Sequence, residues 1–350
     1  MKANHWTKTL LAMGLSAILA TSCQGLQKGK NTASASKAQA MGPAATLPTS
    51  LHGTANGMKW WYEQHDGFGP YCGVAYEKAG CGHCHTSSCD QCHQDAAGKK
   101  PAAQPEACKH CHGRQKMEAK LKLSDIHLEA GMQCSECHNS AEIHGDGNHY
   151  DTMFSPGAMH VTCESCHSDQ PSNAEHKQHG QQFACDACHL DSVITCYNCH
   201  FETLIKRHKK KAAGALSGYI ILLNDDRGRV RAGTYQTVVY EGKTFVAFGP
   251  YHGHTIKRKG RTCKDCHQNK RMLELKNSGK IVMTRWDPAS KKVQHTTGVI
   301  PFVPDKFEFQ FVDFGPQGWA PLTKKTGRSQ YRFCSPLNKK QLQALGAIAK

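Results

Sequence analysis

No stretch of this 350-residue chain is apolar for long enough to stay in a membrane. The one sustained apolar run, Leu10 to Ala20, falls short of the roughly 20 residues that a spanning helix needs. Acidic residues are scarce beside basic ones, 28 against 44, which leaves a formal charge of +16. No nucleic-acid-binding motif accompanies that excess, so it does not point to a nucleic-acid partner. Residues 24–50 show no apolar periodicity and consist largely of Ala, Ser, Thr, Gly and Lys. Such a composition buries too little surface to order itself and reads as a tether. From Cys81 to His200 the chain lacks the material for an ordinary apolar core. What it has there is cysteine and histidine.

Within that stretch the pattern Cys-x-x-Cys-His occurs seven times, and an eighth copy follows alone. In chain order the copies are Cys81, Cys84 and His85; Cys89, Cys92 and His93; Cys108, Cys111 and His112; Cys134, Cys137 and His138. Then come Cys163, Cys166 and His167; Cys185, Cys188 and His189; Cys196, Cys199 and His200; and Cys263, Cys266 and His267. Two thiols at this spacing add across the vinyl groups of a porphyrin while the adjacent imidazole turns beneath the ring to bind iron, so the pattern is the attachment signature of c-type haem. Zinc ribbons also use Cys-x-x-Cys pairs. Only 15 histidines remain besides the eight that end the motifs, however, and chance would rarely set one behind every pair. The chain therefore resembles the multihaem c-type cytochromes, specifically an octahaem one, over residues 81–200 and 263–267. The resemblance implies eight haem c groups. Their propionates would bring up to about 16 negative charges, which the basic excess roughly offsets. The run Lys206, Arg207, His208, Lys209, Lys210 and Lys211 belongs to that excess and reads as a solvated face.

The gaps between successive motifs of the first seven are 3, 14, 21, 24, 17 and 6 residues. At about seventeen residues per haem the segment sits below the roughly 40 residues at which a chain needs a metal or similar staple to fold. The expected architecture is therefore mostly irregular, with short α-helices and the haems as core. Trp60, Trp61, Tyr62, Tyr71 and Tyr76 precede it and read as packing against porphyrin faces. After residue 213 the character changes. Tyr219–Leu223, Tyr235–Tyr240, Thr244–Phe248, Ile281–Trp286, Val299–Val303 and Phe307–Phe314 predict strands, with turns at Asp226-Arg227-Gly228 and Glu241-Gly242. A short helix is expected over 338–349. This gives four parts: a signal peptide at 1–22, a lipid-anchored flexible tether at 23–50, a seven-haem domain at 51–213, and a small β-rich module at 214–350 that holds the eighth haem.

Each iron needs a sixth ligand. Once His5 leaves with the signal, 14 histidines remain for eight positions, which favours bis-histidine coordination at most or all haems. Two imidazoles saturate the iron and favour electron transfer over small-molecule binding. The preferred distal ligands are His65, His127, His144, His160, His176, His179, His208 and His254, with His52, His149, His252 and His295 in reserve. Cys72 and Cys334 belong to no motif. They read either as a disulfide, or with Cys72 as a haem ligand or attachment thiol.

Lys2 and Lys8 ahead of Leu10–Ala20, and the small residues Ala20-Thr21-Ser22, form an export signal. Cys23 follows directly and reads as a lipidation site, with plain cleavage at the same bond as the alternative. The chain is thus expected in the periplasm or at the outer membrane or cell surface of a Gram-negative bacterium. The leading functional expectation is an electron carrier working with redox partner cytochromes or quinol-linked oxidoreductases, toward an acceptor that includes extracellular ones. The alternatives are an octahaem reductase of a sulfur or nitrogen oxyanion with one open haem, and a subunit of a haem filament or outer-membrane complex. No Cys-x-x-Cys-Lys motif, which marks some such reductase sites, is present.

Overall fold

The computed structural model describes residues 41–80, 88–93, 105–169, 171–323 and 326–349. The signal, Cys23, most of the tether and the first motif with Cys81, Cys84 and His85 lie outside the described residues.

From Pro105 to His189 the chain forms short helices joined by loops, among them Pro105–Cys111, Gly113–Lys120, Ser140–His144, Ala174–His179 and Cys185–His189. Helices this short are marginal on their own propensity, and side-chain caps define several of their starts. The Asp125 carboxylate accepts from the backbone of His127 and Leu128, Asn139 caps Ser140–His144, and Asn173 caps Ala174–His179. Almost nothing apolar is buried here. Between Ala79 and Ala184, Ala158 is the one buried hydrophobic residue among the described residues.

The rest of the chain is built on strands β1 (Val193–His200), β2 (Ala212–Asp225), β3 (Val230–Tyr240), β4 (Lys243–Pro250), β5 (Ile281–Asp287) and β6 (Lys292–His295). They are followed by β7 (Gly298–Pro301), β8 (Phe307–Phe309), β9 (Val312–Gly315), β10 (Gly318–Pro321), β11 (Thr326–Tyr331) and β12 (Cys334–Ser335). Seven of them form one sheet in the order β11-β4-β3-β1-β2-β12, with β7 paired to β2. β5 joins β6 and β8 in a three-stranded sheet, and β9 pairs with β10 alone. Glu241 and Gly242, at φ 48° and 75°, turn β3 into β4, as a two-residue hairpin with positive φ at both positions requires. Tyr197, Tyr219, Ile220, Ile221, Leu222, Leu223, Ile300 and Phe302 are almost completely buried in the resulting core.

Four details differ from the sequence expectation. The sheet begins at Val193, so the seventh motif lies on a strand inside it, because Val193-Ile194-Thr195 is a β-branched run that pairs with β2, and Cys199 and His200 carry the strand on against β3. Residues 41–50, expected in the tether, are folded. Pro43 and Pro48 occupy first turns of short helices, where proline is favoured, and Thr46 and Ser50 pack against Gly145 so closely that a Cβ there would lie 2.9 Å from each. Cys72 and Cys334 are free thiols in separate cores. Cys72 sits with Phe68, Phe201, Leu204 and Phe245, whereas Cys334 pairs across from Asp225 on β2. The aromatic residues of 51–80 pack on one another and on the sheet side as well as on the large cavity, which Trp61 and Tyr62 line: Trp60 and Trp61 stand against Phe333, and Tyr62 against Phe68, Tyr76 and Phe201.

Candidate haem sites

Imidazoles outside the motifs meet motif imidazoles in pairs. His93 faces His144 with ring centres 6.0 Å apart, and His112 faces His52 at 6.0 Å. His138 faces His254 at 6.1 Å, and His167 faces His127 at 6.1 Å. His189 faces His176 at 6.2 Å, and His267 faces His179 at 6.4 Å. Two imidazoles binding one metal from opposite sides would stand about 6.3 Å apart, given metal–nitrogen bonds of about 2.0 Å and a ring radius of about 1.15 Å. All six pairs fall at that spacing.

The outer ring nitrogens follow the same logic. A ligating histidine carries its proton on the nitrogen away from the metal and donates it to a fixed acceptor. Nδ1 of His52 donates to the Ile143 carbonyl at 2.9 Å, and that of His176 to Pro171 at 2.8 Å. His179 uses the Glu175 carbonyl at 3.1 Å, His189 that of Lys257 at 2.9 Å, and His267 that of Ala344 at 2.8 Å. His138 donates to the Glu142 carboxylate at 3.0 Å, and Nδ1 of His144 is hydrogen-bonded to the Ser140 hydroxyl at 2.9 Å. Glu142 is buried, which alone would raise its pKa. Its bonds from His138 and from the backbone of His160 and Val161 outweigh that and hold it below the ordinary carboxylate range. Burial and then the neighbouring charge of its partner lower the pKa of both His144 and His254, which favours the neutral imidazole.

Three other histidines have partners elsewhere. His295 donates to the Ser217 carbonyl through Nε2 at 2.7 Å, Nε2 of His149 accepts from the Asn56 amide at 2.8 Å, and His252 accepts from Arg231 at Nδ1, 3.1 Å away, with its ring against Phe154. Nδ1 of His254 likewise lies 3.1 Å from the Gln115 amide nitrogen, so His254 is placed among the pairs by its ring spacing to His138.

Of the distal ligands preferred from sequence, His127, His144, His176, His179 and His254 stand beside motif histidines. His65 lies exposed in the turn after the helix Asn56–Glu63, and His160 presents its backbone to Glu142, without a ring contact to a motif histidine among the described residues. His208 packs against Gly80, the residue before the first motif, with Nδ1 3.1 Å from where a Cβ would stand. His52 was held in reserve and takes the place given to His65. The Ile143 carbonyl that orients it comes from 91 residues away, a partner with no local trace in the sequence.

Thiols of successive motifs also approach one another. The Cys108 pKa is raised by burial, then by Cys134, to which its thiol is hydrogen-bonded, and by Cys92. The Cys137 thiol is pushed up by burial and by Cys166, and the Cys185 thiol well up by its hydrogen bond to Cys163. Burial and then Cys188 push Cys266 up to about 12. The second to sixth motifs and the eighth thus follow one another in space. They open onto one cavity of about 4000 Å³, several times an ordinary ligand pocket of roughly 300–1,000 Å³.

Over 87 residues the chain is 31% identical to the multiheme cytochrome MtrA of Shewanella baltica (strain OS185). Over that stretch the chain is similar to a multihaem cytochrome. The match covers 24% of this chain and 25% of the relative, so the chain spans about a quarter of the length of the curated relative it matches. No family profile and no solved structure matches the chain. Among the described residues, no helix is long and apolar enough to cross a membrane.

Proposed function

We propose that this protein is an octahaem c-type cytochrome that passes electrons along a row of mostly bis-histidine haems in the periplasm or outer envelope. The observation that carries the reading is the set of six imidazole pairs at 6.0–6.4 Å. A bound haem supplies one-electron iron chemistry, and two imidazoles on it favour transfer over ligand binding.

The chain's own residues do the rest. Cys89 and Cys92, and their counterparts in each motif, fix the groups covalently. The six outer imidazoles His144, His52, His254, His127, His176 and His179 would hold the haems of the second, third, fourth, fifth, sixth and eighth motifs in turn, together with the motif histidines they face. His208, seated against Gly80, serves the first motif in this reading. The neighbouring thiols Cys92–Cys108, Cys108–Cys134, Cys137–Cys166, Cys163–Cys185 and Cys188–Cys266 support an electron path through the second to sixth motifs and then the eighth. Partners would be small redox cytochromes or quinol-linked oxidoreductases. Cys23 would hold the mature chain to a membrane through lipid, and Cys23→Ser should release it.

A mediated potentiometric titration of the purified holoprotein tests the reading. It should show a broad reductive wave, because closely spaced sites spread one another's potentials, together with fast exchange with small cytochromes. Rapid turnover of sulfite, tetrathionate or nitrite with sluggish cytochrome exchange would contradict it.

A further inference from the structure

Behind the paired imidazoles the outer nitrogens meet two kinds of partner. At the sixth and eighth motifs they meet backbone carbonyls: Nδ1 of His189 lies 2.9 Å from that of Lys257, and Nδ1 of His267 2.8 Å from that of Ala344. At the fourth and fifth motifs they meet carboxylates. Nδ1 of His138 lies 3.0 Å from Glu142 Oε2, and Nδ1 of His127, the partner of His167, lies 3.3 Å from Asp125 Oδ1. The two acidic side chains are nearly sealed from water, 2% and 5% exposed. No Lys or Arg pairs with either among the described residues. The seventh motif stands apart from this comparison. There Glu202 and Asp313 approach Nε2 of His200, at 3.3 Å and 3.6 Å, with Phe314 and Trp319 against its ring.

The local chain fixes both charges in place. Glu142 follows His138 by four residues, in the helix Ser140–His144, and its Oε1 accepts from the backbone of His160 and, at 2.8 Å, of Val161. Asp125 caps the helix Ile126–Glu129. Its Oδ1 accepts from the backbone of His127 at 2.9 Å and of Leu128 at 3.2 Å, and its Oδ2 from that of Ile256 at 3.0 Å. Carboxylates held by backbone donors keep their charge where water screens it little. Further along the row the fixed charge is positive. The Arg261 backbone donates to the Cys188 carbonyl at 3.0 Å, and its guanidinium to the carbonyls of Leu190 and Asp191 at 2.6 Å each. That cation thus sits between the sixth motif and the eighth. Asp186, inside the sixth motif, is matched by Arg231 at 2.5 Å, and Asp265, inside the eighth, is exposed.

Adding an electron is harder beside a fixed negative charge and easier beside a positive one, and the more so where water is excluded. We propose that Glu142 and Asp125, acting through His138 and His127, set the fourth and fifth haems at lower potential than the sixth and eighth, which grades this part of the row toward the eighth motif. This rests on the multihaem reading above. Both acids are positioning residues, since each stands behind its imidazole on the side away from the metal. Electrons that reach the fourth or fifth motif would run downhill through the sixth to the eighth.

The test is a mediated spectroelectrochemical titration of the full holoprotein beside Glu142→Gln, Asp125→Asn and Glu142→Asp. In each of the two neutral variants one haem equivalent should leave the negative half of the wild-type titration for a more positive potential, with haem content and the count of low-spin irons unchanged. Glu142→Asp keeps the charge and should stay closer to the wild type than Glu142→Gln does. Should Glu142→Gln lose haem, Asp125→Asn decides, because its amide oxygen preserves the helix cap. Neutral variants that titrate as the wild type does would overturn the proposal and leave the electron-carrier reading intact. So would a displaced equivalent that comes from the positive half. A Glu142→Asp titration displaced as far as that of Glu142→Gln would give Glu142 a merely structural role and overturn its part in the grading. A protein without covalent haem would instead fail the reading on which this rests.

Discussion

The segment from Pro105 to His189 and the sheet from Val193 onward are held by different means. The sheet buries Tyr197, Tyr219, Ile220, Leu222, Ile300 and Phe302 to within 1% of complete exclusion from solvent. The motif segment buries no apolar side chain larger than alanine, only Ala158, Ala184 and Ala187, and otherwise polar groups such as Glu118, Asp125 and Glu142 among its described residues. Hydrophobic burial can account for the first and not for the second. In the second, capped helices deliver imidazoles to fixed spacings around one large cavity, and the reading proposed here makes the haems its core. The seventh motif sits where the two regimes meet, on a strand of the sheet.

The largest effect should come from blocking haem attachment. In a host without the ligation machinery, backbone amides of Pro105–His189 should exchange at near-unfolded rates in hydrogen–deuterium exchange, while β2, β3 and β4 keep much of their protection. Equal loss in both regions would show that the sheet also depends on the cofactors. Next, Leu222→Ala in the sheet core should cost about 2–5 kcal/mol of unfolding free energy, measured by denaturation, with the haem content of the folded protein unchanged. A fall in haem content would join what the comparison separates.

His254→Ala acts across the boundary, since His254 follows β4 and faces His138 in the motif segment. It should turn one low-spin haem high-spin and leave the others reducible, with little change in the unfolding curve. An unaltered spectrum would remove His254 from the ligand set. The smallest effect belongs to Asp287, in the turn between β5 and β6. Hydrogen bonds from the Ser290 hydroxyl and the Ala289 backbone hold its carboxyl below the ordinary value of 3.8. A depressed pKa contributes stability that is present above the unfolded value and is lost as pH falls through the folded one. The wild-type advantage over Asp287→Ala should therefore be present at neutral pH and vanish in acid below about 3.8. An advantage that grows on acidification would contradict this.

Much of the sheet was legible. The β-branched and aromatic runs at Tyr219–Leu223, Tyr235–Tyr240 and Thr244–Phe248 all lie inside observed strands, and both marked turns fall between them. The motif cysteines and histidines were legible because their covalent chemistry fixes a short local spacing. Outer imidazoles were less so, because each is chosen by a contact remote in sequence. His52 depends on the carbonyl of Ile143, and nothing near either residue separates His52 from His65. The strand character of the seventh motif was written in Val193-Ile194-Thr195, but the repeat of the motifs drew that stretch into the irregular region. The aromatic and acidic surroundings of His200 come from Glu202 next to it and from β9 and β10 more than 100 residues on.

Low-temperature electron paramagnetic resonance of the oxidised holoprotein, with haem quantitation, tests most directly whether the paired imidazoles are axial ligands. The account predicts at least six low-spin, bis-histidine irons per chain, one for each pair. Fewer than six, or a spectrum dominated by high-spin or methionine-ligated iron, would contradict it.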